Sequence, residues 1–111
     1  MDRRWIFKVM AASLLAVPGA SAYFLGGAVV YTRFARAALV HITDADMVNM
    51  RAASEPYVTL LAGRARQQLG ATWSLGETGA AGPTGNRYGD PAGHTCIAVS
   101  GPQERVITIN E

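Results

Sequence analysis

Cysteine is almost absent from this chain: one residue, Cys96, in 111, which excludes an internal disulfide and fits a reducing compartment. Charge of either sign is also scarce, with ten bases against eight acids and a formal net charge of +2. That balance is too small to imply a nucleic-acid partner. No long apolar run is present. The stretch from Val9 to Val17 is far shorter than the roughly 20 residues needed to cross a bilayer, so the chain is read as non-membrane. The length admits one domain with a real core and leaves no room for a second.

The charges present are unevenly placed. Arg3, Arg4, Lys8, Arg33 and Arg36 stand against Asp2 alone in the first 43 residues, whereas the remainder is slightly acidic. The basic start, the apolar run after it, the Pro18-Gly19 break and the Ala20-Ser21-Ala22 pattern together read as a secretory signal peptide cleaved after Ala22. The same residues read equally as a helix stopped by Pro18-Gly19.

Taken in order, Val9 to Val17 predicts a buried helix, apolar on most sides. Gly26-Gly27 predicts a turn before a buried strand over Ala28 to Thr32. Arg33 to Leu39 resumes a short helical pattern with Phe34, Ala38 and Leu39 inward. Thr43 caps a short helix to about Met50. Ser54-Glu55-Pro56 is a stronger helix start, and Val58, Leu61, Ala62, Ala65 and Leu69 follow the spacing of one helical face up to Gly70. Arg64, Arg66, Gln67 and Gln68 are assigned to water. Thr72 to Leu75 predicts a short strand, and His94 to Ser100 with Arg105 to Ile109 predict a hairpin across Gly101-Pro102. The alternation of strand and helix indicates an α/β fold, three-layer α/β/α with a mixed sheet.

The densest signal is the stretch Gly76 to Asn86. Gly76, Gly79, Gly82 and Gly85 recur at every third position, and residues 76–93 hold six of the twelve glycines. Such density suits a turn that offers backbone N–H groups to a ligand, although a plain surface loop has the same composition. His94 and Cys96 share one face of a strand, but two ligands are too few for a metal site. A strand cysteine is read as a small buried hydrophobe.

Three segments in one consistent order carry a resemblance: Val17-Pro18-Gly19-Ala20-Ser21-Ala22-Tyr23-Phe24-Leu25-Gly26-Gly27-Ala28-Val29-Val30-Tyr31, then Ala53-Ser54-Glu55, then Thr78-Gly79-Ala80-Ala81-Gly82-Pro83. Together they resemble the CinA C-terminal domain family, over about Met10 to Ile109. The family includes amidohydrolases that deamidate nicotinamide mononucleotide to nicotinate mononucleotide and ammonia. The resemblance implies a small-molecule pyridine nucleotide as ligand, no cofactor and no metal, with a homodimer as one assembly. It also places Val17 to Ala22 inside the domain, where cleavage would remove a core helix. A cytoplasmic location follows, with export through residues 1–22 as the alternative.

In the same terms, Thr78 matches the hydroxyl residue of the family loop and would bind substrate or assist catalysis; its other reading is a hydroxyl that caps the loop. Gly79, Ala80, Gly82 and Gly85 would line the substrate with backbone groups. Tyr31 matches a strand-end tyrosine, and Arg36 stands where the family commonly has lysine. A guanidinium keeps the charge and pairs with phosphate, but it does not accept protons at ordinary pH. Arg3 to Lys8 stands where the family has a strand and a Glu-Ser-x-Thr-Gly-Gly type turn. The expectation is therefore a domain lacking the first strand and the last helix, and either an amidohydrolase or a catalytically impaired nucleotide-binding or dimerisation module.

Overall fold

A computed structural model of the chain describes residues 6–79, 89 and 93–110. Helices α1 (Ile6–Leu15), α2 (Arg33–Val40) and α3 (Glu55–Leu69) precede strands β1 (Ser74–Gly79), β2 (Thr95–Ser100) and β3 (Arg105–Ile109), with a 3-10 turn at Ala20–Ala22. The strands form one sheet in the order β1-β2-β3. Both pairings are antiparallel, and they set Thr78 opposite Cys96 and Cys96 opposite Thr108. The domain is α/β, and α3 lies across all three strands. No helix among the described residues is long and apolar enough to cross a membrane.

Helix α3 forms where the sequence says it should. The Ser54 side chain accepts the Tyr57 N–H at 3.3 Å and donates to the Arg51 carbonyl at 2.6 Å, so the cap is fixed from both sides. Pro56 sits in the first turn, and the helix ends on Gly70. Its inward stripe is narrow and built of small side chains. Val58 and Ala62, one turn apart and both 0% exposed, meet Cys96 and Ala98, two apart on β2. Gly76 on β1 lets the helix approach, because a Cβ there would stand 3.1 Å from the Val58 carbonyl oxygen and 3.2 Å from the Ala62 Cβ. A second cluster, Val40, Ile42 and Tyr57, joins α2 and the following loop to α3.

Several expectations need correction. Ala28 to Thr32 is extended but belongs to no strand, and Val29 and Tyr31 are exposed. An extended segment becomes a strand only when a neighbour takes up its N–H and C=O groups, and no described strand does so. The sheet among the described residues is accordingly antiparallel throughout rather than mixed, with α3 on one face and α2 resting on α3. Helix α1 begins at Ile6, and Leu14, Leu15 and Val17 at its end are exposed rather than buried. In α2 the inward residue is Val40; Phe34, at 72% exposed, Ala38 and Leu39 face outward.

Residues 44–49 form turns and not a helix. The Asp46 side chain, instead of starting one, accepts the Thr43 N–H at 2.9 Å and the Thr43 hydroxyl at 3.1 Å. Strand β1 runs on through Gly79, four residues beyond the predicted end, because Gly76 to Gly79 pair with Ala98 to Thr95.

Two arginines assigned to water instead pin loops to α3. Arg66 Nε donates to the carbonyls of Ala71 and Thr72 at 3.3 and 3.1 Å. Arg64 donates to the His41 carbonyl at 2.6 Å and forms an ion pair with Asp46 at 3.2 Å. The Thr43 N–H first, and Arg64 after it, hold the Asp46 carboxyl below its usual range. A carboxyl lowered in the folded state contributes stability that is present above its unfolded pKa and is lost as pH falls through the folded one. Asp46→Asn should therefore lower the thermal midpoint near neutral pH, and the gap to the unsubstituted protein should close as pH falls below the ordinary carboxylate range. Thermal melts followed by circular dichroism across that range check this; a gap that does not change with pH removes the charge from the account.

Candidate functional site at the start of helix α3

The side chains with chemistry to offer gather beneath the first turn of α3. Register places Thr78, Cys96 and Thr108 side by side across the three strands, and their polar atoms meet the helix start. Thr78 Oγ1 accepts the Ala53 N–H at 3.2 Å. Cys96, 1% exposed, has its sulfur 3.4 Å from Thr108 Oγ1, and the Thr108 hydroxyl donates to the Glu55 carboxylate. Since that hydroxyl spends its hydrogen on Glu55, it accepts from the Cys96 thiol.

His94, two residues before Cys96, is buried on the same side. Its Nε2 lies 2.8 Å from the Ala53 carbonyl oxygen and its Nδ1 lies 2.7 Å from Asn110 Oδ1. A carbonyl oxygen only accepts, so Nε2 carries the hydrogen, and Nδ1 either donates to Asn110 Oδ1 in the doubly protonated ring or accepts from the Asn110 amide turned about in the neutral one.

Arg36 reaches the same turn of α3 from the other cluster. Its guanidinium carbon stands 5.6 Å over the Tyr57 ring, and its Nε is buried with no hydrogen-bond partner. Burial pushes the Tyr57 phenol above its usual range, and the Arg36 charge draws it partly back.

The structure thus brings Thr78 and Arg36 to one helix start, Thr78 against Ala53 and Arg36 against Tyr57. Thr78 and Gly79 are strand residues and not loop residues. Tyr31 is not drawn in: its ring is 85% exposed, one residue before the Thr32 hydroxyl that caps α2. Ala80, Gly82 and Gly85 lie outside the described residues. No group of three or more His, Cys, Asp or Glu among the described residues is placed to hold a metal.

His94, Glu55 and Thr108 were not singled out as site residues from sequence. The shared face of His94 and Cys96 is readable from the two-residue repeat of a strand. The meeting of Thr108 with Glu55, 53 positions apart, depends on register and helix placement, which no local pattern carries.

Comparison with known proteins defines the class. The fold is that of the CinA superfamily structures: a crystal structure of a competence-damaged protein (CinA) superfamily protein from Escherichia coli matches 93% of this chain and 60% of its own length, with a TM-score of 0.84 at 24% identity. A competence or damage-inducible protein from Enterobacter asburiae matches 93% of the chain and 65% of its own length, with a TM-score of 0.84 at 25% identity. The CinA C-terminal domain model matches residues 9–111, and the chain belongs to that family. A CinA-like protein from Prochlorococcus marinus (strain MIT 9313) is 43% identical over 93 residues. Another, from Parasynechococcus marenigrum (strain WH8102), is 40% identical over the same length. The chain spans about a fifth of those relatives, 22% of each.

Gly79 has a packing role that can be separated from any contact with a ligand. A Cβ at this position would collide with the His94 carbonyl oxygen and stand 3.1 Å from the Thr95 Cα, both backbone atoms of the paired strand. Gly79→Ala should therefore destabilise the fold by about 1–3 kcal/mol, lowering the thermal midpoint by roughly 4 °C or more. Calorimetry without ligand checks this, and an unchanged midpoint would return Gly79 to a purely binding role.

Proposed function

We propose that this chain carries a pyridine-nucleotide site of the amidohydrolase type, acting on the carboxamide of nicotinamide mononucleotide. The observation that carries the reading is the attachment of both residues to the start of α3, Thr78 at Ala53 just before the cap and Arg36 over Tyr57 in the first turn, in a member of the CinA C-terminal domain family. The net reaction adds water across the amide C–N bond and yields a carboxylate and ammonia. Its barrier lies in the tetrahedral intermediate, whose oxygen takes on negative charge and is stabilised by donors already aimed at it.

Thr78 suits that task. Its oxygen already accepts the Ala53 N–H, which leaves the hydroxyl hydrogen to donate to the carboxamide oxygen. No described side chain takes that hydrogen as a base would, so Thr78 acts in this reading as a donor and not as the attacking group. Arg36 supplies a fixed positive charge, and its Nε is without a hydrogen-bond partner, which suits the nucleotide phosphate. The α3 start adds its positive dipole end to the same region. A binding module without turnover is the second reading, favoured by the exposure of Tyr31 and by the lack of a base beside Thr78 among the described residues.

Ammonia and nicotinate mononucleotide released by the purified chain test the reading. Thr78→Val should lower kcat by on the order of a hundredfold, and Thr78→Ser should keep most of it. Arg36→Gln should raise KM for nicotinamide mononucleotide about tenfold while leaving the weaker use of the dephosphorylated nucleoside unchanged. Robust turnover that survives Thr78→Val would sink the assignment of Thr78. Saturable nucleotide binding without ammonia would leave the binding module.

A further inference from the structure

The backbone of Ala53 is held on both sides by side chains, its N–H by Thr78 of β1 and its C=O by His94 just before β2. Ala53 has φ 59°, a left-handed conformation that a residue with a side chain keeps only where its surroundings hold it, at a cost of about 1 kcal/mol or more. The residue is 4% exposed, so its N–H and C=O depend on protein partners rather than on water. Both partners are side chains of the candidate site: Thr78 Oγ1 takes the N–H at 3.2 Å, and His94 Nε2 donates to the C=O at 2.8 Å. The neighbouring Cys96 sulfur is 3.8 Å from the same oxygen, a longer and weaker contact whose hydrogen has a better acceptor in Thr108.

We propose that His94 is a positioning residue for the Thr78 hydroxyl. It does not touch the nucleotide. By holding the Ala53 carbonyl it fixes the backbone dihedrals of Ala53, and through them the preceding peptide, so that the Ala53 N–H occupies one lone pair of Thr78 Oγ1 and the hydroxyl hydrogen is turned away from Ala53 toward the substrate carboxamide. Asn110 at Nδ1 orients the ring from behind, as an outer partner orients a working imidazole elsewhere. The grip needs a hydrogen on Nε2, which the doubly protonated ring and the Nε2–H tautomer of the neutral ring both carry and the Nδ1–H tautomer lacks. The inference rests on the reading of Thr78 as the donor in amide hydrolysis, and it adds a residue that the family resemblance did not bring forward.

The test exploits the shapes of two amides. The terminal nitrogen of glutamine reaches the position of imidazole Nε2, whereas that of asparagine reaches only the position of Nδ1. In the full chain, His94→Gln should keep Ala53 amide hydrogen exchange and kcat close to the unsubstituted values. His94→Asn should speed exchange at Ala53 about tenfold and lower kcat about tenfold, with KM within about twofold. Exchange at the β2–β3 pairing, read in the same spectra, reports whether the sheet is intact. An intact Asn variant with unchanged Ala53 exchange and kcat overturns the proposal, as does a Gln variant no better than Asn. If the unsubstituted protein releases no ammonia, the amidohydrolase reading falls, and the Gln–Asn difference in Ala53 exchange alone then decides the positioning role. If the Asn variant does not fold, the ring nitrogen shifts of His94 decide it. A hydrogen on Nε2 across the titration supports the proposal, and a neutral ring protonated at Nδ1 alone overturns it.

Discussion

Helix α3 lies against the sheet through side chains no larger than valine, and this close approach sets the position of every polar group near its start. Val58 and Ala62 on the helix, with Cys96 and Ala98 on β2, leave no exposed apolar surface between them, and Gly76 keeps β1 out of the way. At about 25 cal/mol per Å² of apolar surface the stabilisation from so narrow a seam is modest. Its larger effect is geometric: a helix seated this low brings its unpaired N-terminal groups within reach of strand side chains.

That reach produces the candidate site. Thr78, Cys96 and Thr108 are ordinary cross-strand neighbours, and without the helix they would form a small polar ladder on an open face. With α3 in place, Thr78 meets Ala53 and Thr108 meets Glu55. His94 meets both the Ala53 carbonyl and Asn110 at the far end of β3. The strained backbone of Ala53 is the joint of this arrangement, because it couples β1 and the residue before β2 to the capped end of the helix. Arg36 is attached to the same end by a different route, through the Tyr57 ring and the second apolar cluster.

Large apolar side chains are spent unusually: Leu25, Val29, Tyr31 and Phe34 are all exposed, while much of the buried core is alanine, valine and cysteine. The segment they occupy is extended and unpaired at its start and becomes helical only where the Thr32 hydroxyl caps α2. Its β-branched and aromatic composition favours a pleated, half-buried surface. Composition of that kind states a preference for a neighbour without supplying one, which is why Ala28 to Thr32 reads as a strand and is not one here.

The sequence by itself determined α3, its Ser54 cap and its Gly70 end, the β2–β3 hairpin, and the family, since all of these are written in local spacing and in short ordered segments. It also marked Thr78 and Arg36 through the resemblance. Tertiary structure decided that Gly76 to Gly79 belong to a strand, that Phe34 faces outward and Val40 inward, and that Arg64 and Arg66 are tied down. It alone brought His94, Thr108 and Glu55 to the site. The physical reason is common to these cases: strand pairing and register are interactions between segments, and a residue carries no local mark of the partner that will face it. Thr78 and His94 are 16 residues apart in sequence, and only the fold of α3 over the sheet makes Ala53 their shared partner.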